Sequence, residues 1–160
     1  MSTMTLRTEG DRHIVVTRRF AAPPEHVYRA HTEPALLQQW LLGPDGWTMP
    51  ICISEARPGG RIRFEWSDGK GGGFFLTGEY LDLEPIRRIA HVERMHLPEP
   101  TPDNHVETTF ERDGTGTLMT LRMTLPDAAT RAAMLETGME HGMEASYVRL
   151  DGQIKASQPA

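Results

Sequence analysis

The sequence predicts an α+β fold in which an antiparallel sheet packs against one long C-terminal helix. Strand-like segments follow one another through the middle of the chain and are joined by short turns, which favours an antiparallel meander. Two short helical segments come directly after the first strand. The stretch from Asp127 to Ile154 repeats apolar side chains with the period of a helix. Because no other segment is long enough to cover a sheet, we expect this helix to lie across one face of it.

The composition suits one compact domain. The chain has 160 residues, of which 38% are hydrophobic, and it has no apolar run long enough to cross a bilayer. Its N-terminus lacks the apolar region of a signal peptide. We therefore expect a soluble, cytoplasmic protein in which residues 1–155 form a single domain and residues 156–160 form a disordered tail.

Charge, cysteine content and histidine spacing exclude several functions. A net charge of −5 without a basic cluster argues against nucleic-acid binding. A single cysteine, Cys52, cannot form an internal disulfide or a cysteine-cluster metal site. His26 and His31 diverge by about 140° around a helix, and His91 and His96 face opposite sides of a strand. We expect neither a metal nor a cofactor.

The predicted elements follow one another without a domain boundary. Residues 1–9 show no clear pattern and are expected to form a frayed lead-in. Pro23 and Pro24 suit the first turn of a helix, where proline loses no hydrogen bond. The predicted strands are His13–Phe20, Ile51–Ala56, Arg61–Trp66, Phe74–Glu84, Ile89–His96, His105–Arg112 and Thr117–Leu125. The predicted short helices are Glu25–His31 and Ala35–Leu42.

The long C-terminal helix has an unusual apolar face. Asp127 after Pro126 is a suitable N-cap, and Gly138 and Gly142 lie within the helix, where glycine costs about 1 kcal/mol relative to alanine. The residues that recur at helical spacing on the apolar face are Leu135, Met139, Met143, Ser146, Leu150 and Ile154. Two interpretations stay open: these residues fill an ordinary core, or they roof an adaptable apolar cavity. Gly138 also allows a kink that would separate residues 127–137 as a first segment.

Several motifs in a fixed order resemble a known family. They are Thr32–Thr48, which contains Trp40 and Gly43-Pro44, then Arg57–Phe64, Gly78–Leu83, Pro85–Ile89, Gly116–Leu121 and the closing helix. Over roughly residues 12–155 they are similar to the activator-of-heat-shock-protein-ATPase homologue family of the START-like (SRPBCC) superfamily. The resemblance implies a helix-grip fold, in which a curved seven-stranded antiparallel sheet grips the C-terminal helix and two short helices close one end. It also implies an apolar cavity between the sheet and that helix.

The resemblance implies several functions without choosing among them. Members of the superfamily bind lipids or polyketides, cyclise polyketides, sequester reactive small molecules or regulate chaperones. We therefore expect a binding protein for a small hydrophobic or aromatic molecule, with neither nucleic acid nor membrane as a partner. A polyketide cyclase or hydratase-type enzyme is one alternative, and a module that regulates a chaperone ATPase is another. The family also allows a homodimer, for which the sequence locates no interface.

One polar pair stands out among the candidate site residues. If Ile89 points inward, alternation along the strand places His91 and Glu93 on the inner face, whereas the opposite register would expose them to solvent. An inward pair, together with Tyr80, would serve as general acid and base or would orient a ligand. The candidate ligand contacts are Trp40, Phe64, Trp66, Tyr80, His91, Glu93, Phe110, Met119, Leu121, Met139 and Met143.

Overall fold

A computed structural model describes residues 3–157, and within this range it contains eight strands and four helices. The strands are β1 (Thr5–Glu9), β2 (His13–Phe20), β3 (Thr48–Ser54), β4 (Arg61–Ser67), β5 (Gly73–Glu84), β6 (Arg88–His96), β7 (Asn104–Asp113) and β8 (Gly116–Thr124). The helices are α1 (Pro24–Thr32), α2 (Pro34–Trp40), α3 (Ala128–Glu136) and α4 (Met139–Ser157).

All eight strands form one antiparallel sheet in the order β1-β2-β8-β7-β6-β5-β4-β3. Strands β3 to β8 follow one another as neighbours, which short turns between antiparallel strands favour. Strand β2 joins the sheet beside the last strand, and α1 and α2 occupy the long connection from β2 to β3. The α+β helix-grip architecture predicted from the sequence is therefore confirmed.

The sheet has eight strands, so the predicted number of seven was wrong. The additional strand, β1, pairs with β2 from Thr5 opposite Thr17 to Glu9 opposite His13. Its side chains are exposed or only half-buried, so it is held mainly by main-chain hydrogen bonds and leaves no strong hydrophobic pattern in the sequence. Residues 5–9 therefore form an edge strand, although a frayed lead-in was expected there.

The C-terminal helical stretch is divided into two helices at Gly138. The Asp127 carboxylate accepts a hydrogen bond from the Thr130 amide at 2.8 Å, as expected of an N-cap. Helix α3 ends at Glu136, and Gly138 has a φ of 74°, a left-handed conformation that glycine adopts readily. The kink that the sequence left open is thus a complete break between α3 and α4.

Helix α4 extends beyond the predicted end at Ile154. Ile154 is buried, and the Ser157 hydroxyl donates to its carbonyl at 2.9 Å, which holds the last turn. Ala156 and Ser157 therefore belong to the helix, although a disordered tail was expected there. The rest of that predicted tail, residues 158–160, lies outside the described residues.

The core lies between the helices and one face of the sheet, which we call the inner face. This face carries Ile14, Val16 and Phe20 of β2, all buried. Trp40 of α2 is buried against it, and its indole nitrogen donates to the Ala30 carbonyl at 2.9 Å. Tyr147 of α4 stacks on Trp40 with ring centroids 6.0 Å apart. Helices α2 and α4 thus cover the inner face together.

Candidate functional site

The pairing of β6 with its neighbours decides which of its faces is the inner one. His91 lies opposite Tyr80 of β5 and Val106 of β7, and both partners are buried in the core. Ile89, also buried, lies opposite Thr108. Because directly opposed residues in an antiparallel ladder share a face, Ile89, His91 and, by alternation, Glu93 are directed toward the helices.

His91 and Glu93 form a hydrogen-bonded pair on the inner face. The imidazole Nε2 lies 2.6 Å from the Glu93 Oε1, and the two side chains are 17% and 24% exposed. Since a carboxylate can only accept, the Nε2 position carries a proton. The other ring nitrogen, Nδ1, is buried and has no hydrogen-bond partner among residues 3–157. Glu93 therefore orients an imidazole whose second nitrogen is free to meet another group.

Asn104 adds a buried amide beside this pair. Its backbone lies opposite Glu93, and the residue is only 3% exposed. Neither its Oδ1 nor its Nδ2 meets a hydrogen-bond partner within the described part of the chain. An unpaired buried amide lowers the free energy of unfolding by about 1–3 kcal/mol. Such a cost is typical of a group that has a functional role. Asn104 lies one residue before the predicted strand His105–Arg112, and its alternation with Val106 and Thr108 is the signal in the sequence that could have placed it on the inner face.

Gly78 keeps the inner face open next to Glu93. In the ladder it lies between Ile62 of β4 and Glu93 of β6, so the row of side chains is interrupted there. A Cβ atom on Gly78 would come within 2.2 Å of the Val92 carbonyl oxygen, which is far inside van der Waals contact. The close approach of the two strands therefore requires glycine at this position.

The hydroxyl of Tyr80 belongs to a structural chain of hydrogen bonds. Ser54 donates to the Thr32 carbonyl at 2.7 Å, so its oxygen is left to accept from the Tyr80 hydroxyl at 2.6 Å. Burial raises the pKa of Tyr80. Its ring packs edge-on against His91, with centroids 6.4 Å apart. Tyr80 thus meets the polar pair with its ring, while its hydroxyl ties β5 to β3 and α1.

A second buried imidazole, that of His31, comes from α1. Its Nδ1 lies 2.7 Å from the Val27 carbonyl, and its ring packs against Trp40 and Phe110. Burial is the main cause that lowers the pKa of His31 to about 4; the hydrogen bond to Val27 opposes this shift, and the charge that His91 can carry adds to it. At neutral pH the proton therefore sits on Nδ1. The Nε2 lone pair is buried and unpartnered among the residues that the structure describes.

The remaining predicted ligand contacts divide into two groups by burial. The enclosed ones are Trp40, Phe64, Phe110 and Met119. The half-buried ones are Trp66, Leu121, Met139 and Met143. Only the second group can touch a ligand without rearrangement of the core.

Two surface depressions are present, and neither is lined by Met139 or Met143 of α4. One, of about 310 Å³, is formed by α1, α2 and α4 and is lined by residues such as His26, Leu36 and Gln153. The other, of about 200 Å³, is lined by residues of β5 to β8 such as Leu81 and Glu107, and His91 and Val106 also contribute to its lining. The apolar cavity between sheet and α4 stays a prediction.

Within residues 3–157 no group of three or more His, Cys, Asp or Glu side chains is arranged to hold a metal ion. Cys52 is half-buried opposite Phe64, and burial raises its pKa to about 11, so it is a neutral thiol at pH 7. None of the helices in the described range has the length and hydropathy to span a bilayer.

An antiparallel sheet packed on a C-terminal helix, with two short helices inserted between β2 and β3, defines a protein of the START-like class. The family described as Activator of Hsp90 ATPase homolog 1-like protein matches residues 21–155, and the chain belongs to this family. Membership supports a ligand-binding or regulatory role in general terms.

Solved structures match nearly the whole chain. A protein of Rhodobacter sphaeroides is 29% identical with a TM-score of 0.90, over 96% of this chain and 99% of that chain. A protein of Chromobacterium violaceum is 26% identical with a TM-score of 0.74, over 88% and 96%. A protein of Mycobacterium smegmatis is 19% identical with a TM-score of 0.84, over 97% and 98%, and this similarity shows the fold alone. No curated protein matches the sequence.

Proposed function

We propose that the protein binds a small, mainly hydrophobic or aromatic molecule between the inner face of the sheet and α4. The observation that carries the proposal is the unpartnered amide of Asn104 beside the His91–Glu93 pair, on a face that is otherwise largely apolar. Small-molecule sites are typically apolar surfaces with a few convergent polar groups that fix the ligand's orientation.

The apolar part of the ligand would contact the half-buried residues of α4 and the sheet. Met139 and Met143 pack at the margin of the core, opposite a sheet that contributes Leu121 and Trp66. Methionine side chains adapt to differently shaped partners. Each methylene group that a ligand buries there would contribute about 0.8 kcal/mol to the free energy of binding. The arrangement suits lipid- or polyketide-like molecules of low polarity.

Native mass spectrometry of freshly purified protein tests the proposal. We expect a retained small-molecule mass, or a rise in melting temperature with members of a lipid and aromatic library, in the wild-type protein. The same response should be weakened in Asn104→Leu and unchanged in His141→Gln, because His141 is 87% exposed in its side chain. A wild-type protein that retains nothing and responds to no compound would contradict the proposal. The same spectra report whether the chain forms the homodimer that its family allows.

The geometry of His91 also supports a cyclase or hydratase-type enzyme as a second function. A carboxylate that orients an imidazole, whose other nitrogen is unpartnered, is an arrangement suited to general base catalysis. His91 would take a proton at Nδ1 and Glu93 would stabilise the resulting imidazolium. If this holds, the wild-type protein converts the retained molecule slowly into a product, whereas His91→Gln binds the molecule and leaves it unchanged. Conversion at the wild-type rate by His91→Gln would exclude the mechanism.

A regulatory interaction with a chaperone ATPase is the third proposal. It rests on the family description and on no feature of the described surface. A pull-down with the purified chain as bait tests it, and the absence of any chaperone among the captured proteins would remove it.

A further inference from the structure

We propose that the polar group of the ligand is a neutral hydrogen-bond donor, in particular a hydroxyl, and that the site rejects carboxylates. This inference rests on the proposed function and specifies the class of ligand for the same site. It follows from the atoms that the inner face leaves unpartnered, which are mainly acceptors beside a negative charge.

The first acceptor is Nε2 of His31. The helix fixes its tautomer. The Val27 carbonyl can only accept a hydrogen bond, so the proton of the neutral ring must be on Nδ1. The ring cannot easily gain a second proton while Trp40 and Phe110 flank it, since burial disfavours the charged form. Its buried Nε2 lone pair can be satisfied only by a donor.

The second acceptor is Nδ1 of His91. Glu93 fixes the tautomer of His91 as the Val27 carbonyl fixes that of His31. Its carboxylate accepts a hydrogen bond from Nε2–H at 2.6 Å. With its proton on Nε2 the imidazole has a lone pair at Nδ1, and this atom is also buried and without a partner in the described range. Two imidazoles from different elements, α1 and β6, are thus each fixed on one side and leave an acceptor on the other.

Asn104 and Glu93 also favour a neutral hydroxyl over a carboxylate. The amide can accept and donate, so it accommodates a hydroxyl, which also does both. The Glu93 carboxylate lies in the neighbouring position of the ladder and is only 24% exposed. A ligand carboxylate placed there would meet a like charge at reduced solvation, which is strongly unfavourable. A neutral donor meets no such repulsion.

Three compounds that share one apolar body separate these contributions. We would measure the affinities of naphthalene, 2-naphthol and 2-naphthoate for the wild-type protein by isothermal titration calorimetry. Since one net hydrogen bond changes affinity by about fivefold, we expect 2-naphthol, which donates one, to bind about fivefold more tightly than naphthalene. We expect 2-naphthoate to bind at least about tenfold more weakly than 2-naphthol.

Two glutamate variants test the charge directly. Glu93→Gln keeps a hydrogen-bond acceptor for His91 and removes the negative charge, so 2-naphthoate should gain at least about tenfold in affinity. Glu111→Gln makes the same chemical change at an exposed position of β7, where alternation with Phe110 places it on the outer face, and should leave all three affinities unchanged. A gain of binding in Glu93→Gln cannot result from a failure to fold.

The outcomes distinguish this inference from the proposed function. Wild-type protein that binds 2-naphthoate as tightly as 2-naphthol would overturn the inference and leave the binding function intact. The same holds if Glu93→Gln gains no more for 2-naphthoate than Glu111→Gln does. If none of the three compounds binds, naphthalene included, the proposed function itself fails.

Discussion

The guanidinium of Arg18 donates two hydrogen bonds to the two carboxylate oxygens of Asp151, from Nη1 at 3.0 Å and from Nη2 at 2.8 Å. Arg18 is only 1% exposed on the inner face of β2, and Asp151 belongs to α4. Glu144, further toward the start of α4, accepts from the Arg18 Nε at 2.8 Å. These contacts attach the C-terminal helix to the inner face of the sheet, where we propose that a ligand binds.

Replacement of Asp151 by alanine should destabilise the fold. The variant removes the bidentate partner of a buried guanidinium that keeps its ion pair with Glu144, and we expect a loss of about 1–3 kcal/mol. Asp45→Ala is the matched control, because Asp45 also accepts from an arginine, Arg149, but is fully exposed. It should change the free energy of unfolding by less than about 1 kcal/mol. Urea unfolding followed by circular dichroism measures both, and equal losses would show that the Arg18 contact does not hold the helix.

Asn104→Leu should stabilise the protein while it weakens ligand binding. Leucine has a similar size and removes the cost of an unpaired buried amide, which is about 1–3 kcal/mol. A residue retained at the expense of stability is typical of a functional site. Urea unfolding of the ligand-free protein should show a gain of about 1 kcal/mol. A loss of stability instead would mean that the amide is satisfied in the folded protein and is not reserved for a ligand.

Gly78→Ala should be strongly destabilising, because its Cβ would lie 2.2 Å from the Val92 carbonyl and would push β5 and β6 apart. We expect a loss of about 2 kcal/mol or more. The control is Gly152→Ala in α4, where no atom lies within 4 Å of the new Cβ. This change should stabilise the protein by about 0.5–1 kcal/mol through helix propensity. Thermal unfolding of both variants is sufficient, and a neutral Gly78→Ala would contradict the close strand packing.

His31 should make the protein less stable at mildly acidic pH. In the unfolded chain its pKa is near 6.5, whereas burial lowers it to about 4 in the folded state. Between these values only the unfolded state binds the proton, so stability falls as the pH drops from about 6.5 to about 4, by up to about 3 kcal/mol. His31→Phe should lose less stability over this range than wild type in urea unfolding. The exposed His141→Gln is the control and should follow wild type, and a His31→Phe curve parallel to wild type would contradict the shifted pKa.

Hydrophobic alternation in the sequence was sufficient to locate seven of the eight strands and the inner face of β4, where Ile62 and Phe64 are buried. Edge strand β1 was not predicted. It pairs through main-chain hydrogen bonds, and its exposed or half-buried side chains show no strong hydrophobic alternation. The break at Gly138 could be anticipated from glycine alone but not decided, since glycine is also tolerated within helices.

The candidate site was less accessible to prediction than the fold. From the sequence, His91 could point either toward the core or toward solvent. Only its pairing with Tyr80 and Val106 distinguishes these two orientations. Asn104 was not predicted as a site residue, because it lies at the boundary between a proline-rich connection and a strand, where the limits of elements are least well defined. The buried position of Arg18 follows from alternation with Val16 and Phe20, but its partners on α4 are distant in the sequence and require the tertiary structure.

The side-chain amide of Asn104, the single asparagine of the chain, gives a direct test of ligand binding on the inner face. We would record ¹H–¹⁵N and methyl spectra of labelled protein during a titration with 2-naphthol. Binding on the inner face predicts saturable shifts of the Asn104 Nδ2 protons together with the Met139 and Met143 methyl groups. Shifts confined to the surface depression beside Leu36 and Gln153, or no saturable shift at all, would contradict it.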